Sequence, residues 1–229
     1  MIKILGSLLL LSLLIGCADT SKLENDFSYG NEAKLALLAV TDFSGYGKGV
    51  VYFQPVDLKR SKFIGDTIIY AACNSCTPVF KSKKLENSDT PEFFLNTVPE
   101  GTYVLVSKLV REFNSTQVVA NYICYNRAVS VFEVVSGRIN MVAFGASESE
   151  QIASLKKLNT LVSQYPNITA DVEAVKTVAV INFESGSLLY PDAYCATILE
   201  GRSFDIIKRY NQGTTALEPL SPVRYNGRE

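Results

Sequence analysis

Between residues 32 and 145 the apolar positions fall in short runs, each closed by a turn-forming residue. The runs at 35–40, 49–53, 67–71, 92–95, 102–110, 117–125, 128–135 and 138–144 have strand length and β-branched or aromatic content. Pro55 closes the second run, and Val98-Pro99-Glu100-Gly101 places Pro and Gly where a type I turn wants them. Within 102–110, Tyr103, Leu105 and Leu109 share one face while Val104, Val106 and Val110 share the other, because side chains alternate along a strand. Runs that are apolar on both faces belong to strands covered on both sides. Ser136-Gly137 is predicted to be a hairpin turn joining the last two runs. This spacing predicts a mainly β fold over 32–145, an antiparallel β-sandwich, with a small barrel as the alternative.

The period changes at Ser147. Ser147 and Glu150 have capping-box spacing, and Ile152, Leu155, Leu158, Val162 and Tyr165 then recur at helical intervals until Pro166. An amphipathic helix packed on the sandwich is expected. Residues 169–182 are ambiguous between helix and strand. Residues 190–201 and 203–213 each have a cap-like start and a terminal glycine, which predicts short helices. Residues 146–229 are therefore expected to be a helical C-terminal extension. No internal repeat is visible.

The first 31 residues follow another pattern. Lys3 is the only charge before Cys17, and residues 4–16 are apolar or small, the layout of a secretory signal. The run is shorter than the roughly 20 residues that span a bilayer. Leu14-Ile15-Gly16-Cys17 resembles the lipobox of bacterial lipoproteins. That resemblance implies cleavage of 1–16, a diacylglyceryl (palmitate-type) lipid on Cys17 and acylation of the new amino terminus. Two or more acyl chains give stable membrane anchoring where one gives only marginal binding. Residues 17–31 are polar after the cysteine and are expected to be a lipidated tether. In Gram-negative lipoproteins an aspartate directly after the cysteine favours inner-membrane retention. Ala18 stands there, so the resemblance implies an outer-membrane lipoprotein on the periplasmic or surface face of the cell envelope.

Composition narrows the chemistry. The 229 residues are 47% hydrophobic and 10% aromatic, enough for a packed core. The formal net charge is −1, with no basic stripe, so nucleic acid is not an expected partner. The chain has no histidine, which removes Ser-His-Asp and Cys-His catalysis in their usual forms, and every His-containing metal site. No catalytic residue, cofactor or metal site is expected.

Four cysteines follow Cys17, namely Cys73, Cys76, Cys124 and Cys195. An even number in an exported chain predicts two structural disulfides, with three connectivities open. One pattern ties Cys73 or Cys76 to Cys124 and uses Cys195 to fasten the C-terminal region. Cys73-Asn74-Ser75-Cys76 also invites a thiol-disulfide oxidoreductase reading, against which Pro78 and the lack of a surrounding βαβ pattern weigh.

A second resemblance rests on Gly49-Val50-Val51-Tyr52-Phe53-Gln54-Pro55, Val98-Pro99-Glu100-Gly101-Thr102-Tyr103 and Ser136-Gly137-Arg138-Ile139-Asn140. Their order is similar to that in uncharacterised bacterial lipoproteins with a transthyretin-like β-sandwich, a family that brings no catalytic residues. The expected function is a membrane-anchored, non-enzymatic envelope protein that binds membrane lipid through Cys17 and a protein partner through its body. The alternatives are an envelope enzyme, either the oxidoreductase or a carboxylate-based hydrolase, and a small-ligand carrier with an apolar pocket. Radioactive palmitate is expected to label the wild-type chain in cells and not Cys17→Ser; label persisting on the variant contradicts the anchor.

Overall fold

The computed structural model describes residues 23–41, 48–72, 83–85, 93–113, 118–143, 148–184, 199–214 and 223–225. Among them the strands are β1 (Ala36–Thr41), β2 (Lys48–Asp57), β3 (Lys62–Phe63), β4 (Ile68–Ala72), β5 (Lys83–Leu85), β6 (Phe93–Val98), β7 (Gly101–Phe113), β8 (Val118–Cys124), β9 (Val129–Val134) and β10 (Ile139–Val142). The helix α1 (Glu148–Val162) follows, and then β11 (Val172–Ala174), β12 (Lys176–Asn182), β13 (Asp205–Thr214) and β14 (Val223–Tyr225).

The strands form two sheets. A smaller one has the order β11-β10-β1-β6-β5, and a larger one runs β13-β12-β9-β7-β2-β3. In the larger sheet β4 adds to β2, β8 adds to β7 and β14 adds to β8, and every pairing is antiparallel. The smaller sheet is mixed: β10 lies parallel to both β1 and β11. A parallel neighbour needs a crossover of a dozen or more residues, and α1 is that crossover between β10 and β11.

Strand alternation sorts the apolar residues into three layers. Leu37 and Ala39 of β1 face a core shared with Leu158, Leu161, Val162 and Tyr165 on the helix side. Ala36, Leu38 and Val40 face the larger sheet, where they join Val51, Phe53, Tyr103, Leu105 and Phe132. On the far face of the larger sheet, Val104, Val106, Val131 and Ile181 are covered by Phe63, Phe183, Leu199 and Phe204. Phe63 meets Phe183 and Phe204 edge-on at 4.9 and 5.3 Å between centroids. Each fully buried side chain of this size contributes roughly 1.5–3 kcal/mol. The mainly β, two-sheet architecture and the two-sided runs match the sequence pattern, but the pairing is not antiparallel throughout, because β10 lies parallel to β1 and β11, and the sheets extend past 145 through β11, β12 and β13.

Four expectations need correction. Beyond α1 the described residues are not helical: 172–174 and 176–182 are β11 and β12, and 203–213, expected to be a helix, contains β13 paired with β12. Of 190–201, only 199–201 lies within the described residues, and it forms a turn leading towards β13. The tether also ends early. Leu23 is 2% exposed and packs with Tyr29 in the helix-side core. Tyr29 donates its backbone N–H to the Asn167 carbonyl and accepts that of Thr169, and its hydroxyl lies within bonding distance of the Leu35 and Arg138 carbonyls.

The helix stripe holds at Leu155, Leu158, Val162 and Tyr165, which pack on the helix-side core, and fails at its first position. Ile152 is 62% exposed, whereas Leu161 is buried. At 3.6 residues per turn, Ile152 sits roughly 130° from the centre of the face made by Leu158, Leu161, Val162 and Tyr165. Ser147 of the expected capping box lies outside the described residues. Finally, Ser136-Gly137 is not a hairpin: β9 belongs to the larger sheet and β10 to the smaller one, so the chain changes sheets there.

That corner is built from backbone and one amide. Asn140 is 4% exposed; its Oδ1 accepts the Val135 N–H at 2.9 Å, and its Nδ2 reaches the Val135, Arg138 and Leu37 carbonyls at 2.9, 3.0 and 3.4 Å. Gly137 has φ +71°, and a Cβ there would lie 2.2 Å from the Asn31 carbonyl oxygen. Gly201 has φ +78° with open space around it. In urea unfolding, Gly201→Ala is expected to cost about 1–2 kcal/mol from its left-handed backbone. Gly137→Ala should cost about 1–3 kcal/mol more because backbone must move. Equal costs contradict the close approach of Asn31.

Candidate functional site

The chain also changes sheets between β6 and β7, at Pro99 and Glu100. Beside this second corner the last residues of β2 and the loops after it leave a groove of roughly 730 Å³. One wall is Pro55, Val56 and Leu58, another is Ile64, Gly65 and Ile68, and the third is the 99–103 corner with Tyr103 at its end. Asp57, Lys59, Asp66 and Glu100 also line it.

Each wall is held by hydrogen bonds that use the polar groups nearby. Gln54 is fully buried on β2, and its Nε2 donates to the Ile64 and Gly65 carbonyls at 3.0 and 2.7 Å while its Oε1 accepts from Thr67 Oγ1 at 2.7 Å. The 64–67 loop is thereby pinned against the strand. Thr102 Oγ1 donates to the Val56 carbonyl at 2.7 Å, and the Tyr103 hydroxyl donates to the Pro99 carbonyl at 2.7 Å. Arg209 of β13 reaches across to donate to the Leu58 carbonyl at 2.7 Å.

The tip of the β2–β3 connection is an Asx-type turn. Asp57 Oδ1 accepts the backbone N–H groups of Lys59 and Arg60 at 2.9 and 3.0 Å. Its carboxyl sits below the ordinary value; the Arg60 N–H is the largest cause, partly opposed by desolvation, with the Lys59 N–H and the two side-chain charges adding to it. Arg60 also lies 3.6 Å from Asp57 Oδ2 but its side chain is 80% exposed, so that pair contributes little. Burial pushes the Tyr103 phenol up to about 12.

A second cleft, of roughly 160 Å³, lies beside the Asn140 corner. Its Arg138 and Glu173 pair with each other at 2.5 Å. Self-compensated charge and small size leave it little to offer a ligand.

Cys17, Cys73, Cys76 and Cys195 lie outside the described residues. Cys124 is fully buried near the end of β8, opposite Ser107 of β7 and Val223 of β14. Among the described residues no three of His, Cys, Asp and Glu are grouped to hold a metal ion, and no helix is long and apolar enough to cross a membrane.

The groove residues were not singled out as a site by the sequence. Two signals were present: a glutamine followed by proline inside an apolar strand, and the Pro-Glu-Gly turn. Their convergence comes from topology. Comparison of the chain with protein-family models, with curated proteins and with solved structures finds no match.

Because Tyr103 holds its proton more tightly when folded, its contribution to stability is complete below about pH 10 and is lost as pH rises through about 12. The stability difference between wild type and Tyr103→Phe, measured by urea unfolding, is expected to shrink across that interval. A difference that stays constant contradicts the burial of the phenol.

Proposed function

We propose that this chain is a lipid-anchored envelope protein, fastened through acylated Cys17, whose β body is a non-enzymatic binding module with the groove as its ligand site. The groove carries the reading. A volume of roughly 730 Å³ lies in the range of small-molecule sites, about 300–1,000 Å³. Its walls are mostly apolar, and the polar side chains around them, Gln54, Thr102 and Tyr103, are engaged in holding the protein together. Such groups hold a shape rather than perform proton transfer. The chain has no histidine, and burial moves the Tyr103 phenol further from neutral pH.

The anchor and the fold fit together geometrically. Leu23 is already in the core, so residues 18–22 are all that separate it from Cys17. A fully extended segment of that length reaches roughly 20 Å. A lipid on Cys17 then holds the body close to the bilayer, where the ligands encountered are envelope components.

A disulfide through Cys124 is part of the proposal. The burial of Cys124 supports it. Cys73, Cys76 and Cys195 are the candidate partners. A bridge from β8 to any of them constrains the unfolded chain, typically by 2–4 kcal/mol, roughly.

Native mass spectrometry of the protein isolated from envelopes in mild detergent tests the module. Wild type is expected to carry a non-covalent small molecule. Ile64→Glu, which places a charge on an apolar wall at a position 42% exposed and tolerant of it, is expected to lack that molecule while staying folded. Wild type without any bound molecule, or Ile64→Glu carrying the same molecule to the same extent, contradicts the groove as the ligand site.

A further inference from the structure

Resting on the groove as a ligand site, we infer that its ligand is a small amphiphilic organic cation, an apolar body carrying an ammonium or guanidinium group. Three observations select this class. The first is charge. Asp57, Asp66 and Glu100 line the groove against Lys59 as its one cation. Asp57 has Arg60 nearby, but Asp66 and Glu100 are exposed and join no ion pair among the described residues. The lining itself therefore holds more carboxylates than cations, with Arg209 reaching the Leu58 carbonyl from β13, and this excess disfavours phosphates, sulfates and carboxylates and favours a cation.

The second is hydrogen bonding. The buried polar side chains that could read a sugar or a nucleotide are already satisfied: Gln54 by the 64–67 loop, Thr102 by Val56, Tyr103 by Pro99. A polyhydroxylated ligand lying along the apolar walls would lose its bonds to water there and regain only those that the carboxylates and Lys59 offer, a cost that apolar contact does not offset.

The third is the arrangement of the two kinds of surface. Val56, Leu58, Ile64 and Ile68 form the apolar walls, and the exposed carboxylates of Asp66 and Glu100 belong to two of the three segments that enclose them. A hydrocarbon or aromatic body in contact with the walls leaves its cationic group within reach of these carboxylates. Contact with the walls provides affinity, and the charge chooses the sign of the ligand.

The test compares three probes that share one apolar body, the 4-phenylbutyltrimethylammonium ion, 4-phenylbutyl sulfonate and the neutral 4-phenylbutanol. Each is measured by equilibrium dialysis against the full purified chain in a neutral detergent, with empty micelles as the blank. The cation is expected to bind and the sulfonate not to. Asp66→Asn combined with Glu100→Gln is expected to weaken the cation by about tenfold, two exposed pairs at roughly two- to fivefold each. Added salt should weaken wild type towards the double variant. Both positions are solvent-exposed, and an unchanged thermal midpoint shows that the variant is folded. If the alcohol binds as tightly as the cation and the double variant changes neither, the cation inference is overturned and the groove remains a ligand site. If wild type retains none of the three, the ligand class is wrong, and the molecule co-purified from envelopes decides separately whether the groove binds anything.

Discussion

The buried amide of Asn140 joins the two sheets of this protein. A chain that leaves one sheet and enters another must turn where neither ladder can satisfy its backbone, and buried groups left unpaired cost about 1–3 kcal/mol each. Asn140 serves both sides of the turn, bonding the N–H and C=O of Val135 at the exit from β9 and reaching the Leu37 carbonyl on β1. It also fixes where β10 begins, beside and parallel to β1. The position of β11, the path of α1 and the seat of Asn31 against Gly137 all follow from that register.

The groove depends on the same architecture at the other corner. Strand β7 runs along β2 on one side and along first β9 and then β8 on the other, so its start is fixed by two neighbours. The 199–204 segment supports the loop from outside: the Phe63 N–H donates to the Arg202 carbonyl, and the Gly201 N–H to that of Phe63. The groove proposed as a ligand site is thus a concavity between strand ends that each have neighbours on the sheet. A ligand seated there would incur little ordering cost, which favours affinity from modest contact area.

Much of the larger sheet was legible because its rules are local. A strand buried on both faces must be apolar at odd and even positions, and 103–106 is. What failed was non-local or ambiguous in chemistry. Residues 203–213 carry a cap-like start and a terminal glycine, which read as helix signals, yet Lys208 and Arg209 are charges of the kind that protect the exposed edge of a sheet, and among the described strands β13 is such an edge. Parallel pairing of β1 with β10 joins residues about a hundred positions apart and leaves no trace in periodicity. The packed part of the N-terminal segment was missed because its anchors, Leu23, Phe27 and Tyr29, are isolated apolar residues in a polar stretch. The groove was missed because three separate segments build it. The cysteine positions were read from counting, and the fold adds to that reading the burial of Cys124.

Hydrogen exchange of the Asn140→Leu variant, followed peptide by peptide alongside urea unfolding, tests the joint between the sheets most directly. Removing the amide leaves the Val135 N–H and C=O without their partner, so a loss of about 2–3 kcal/mol is expected. Faster exchange should be concentrated in β1, β10 and β11, while β2 and β7 keep their protection. Unchanged stability, or deprotection spread evenly over both sheets, would contradict the role assigned to this residue.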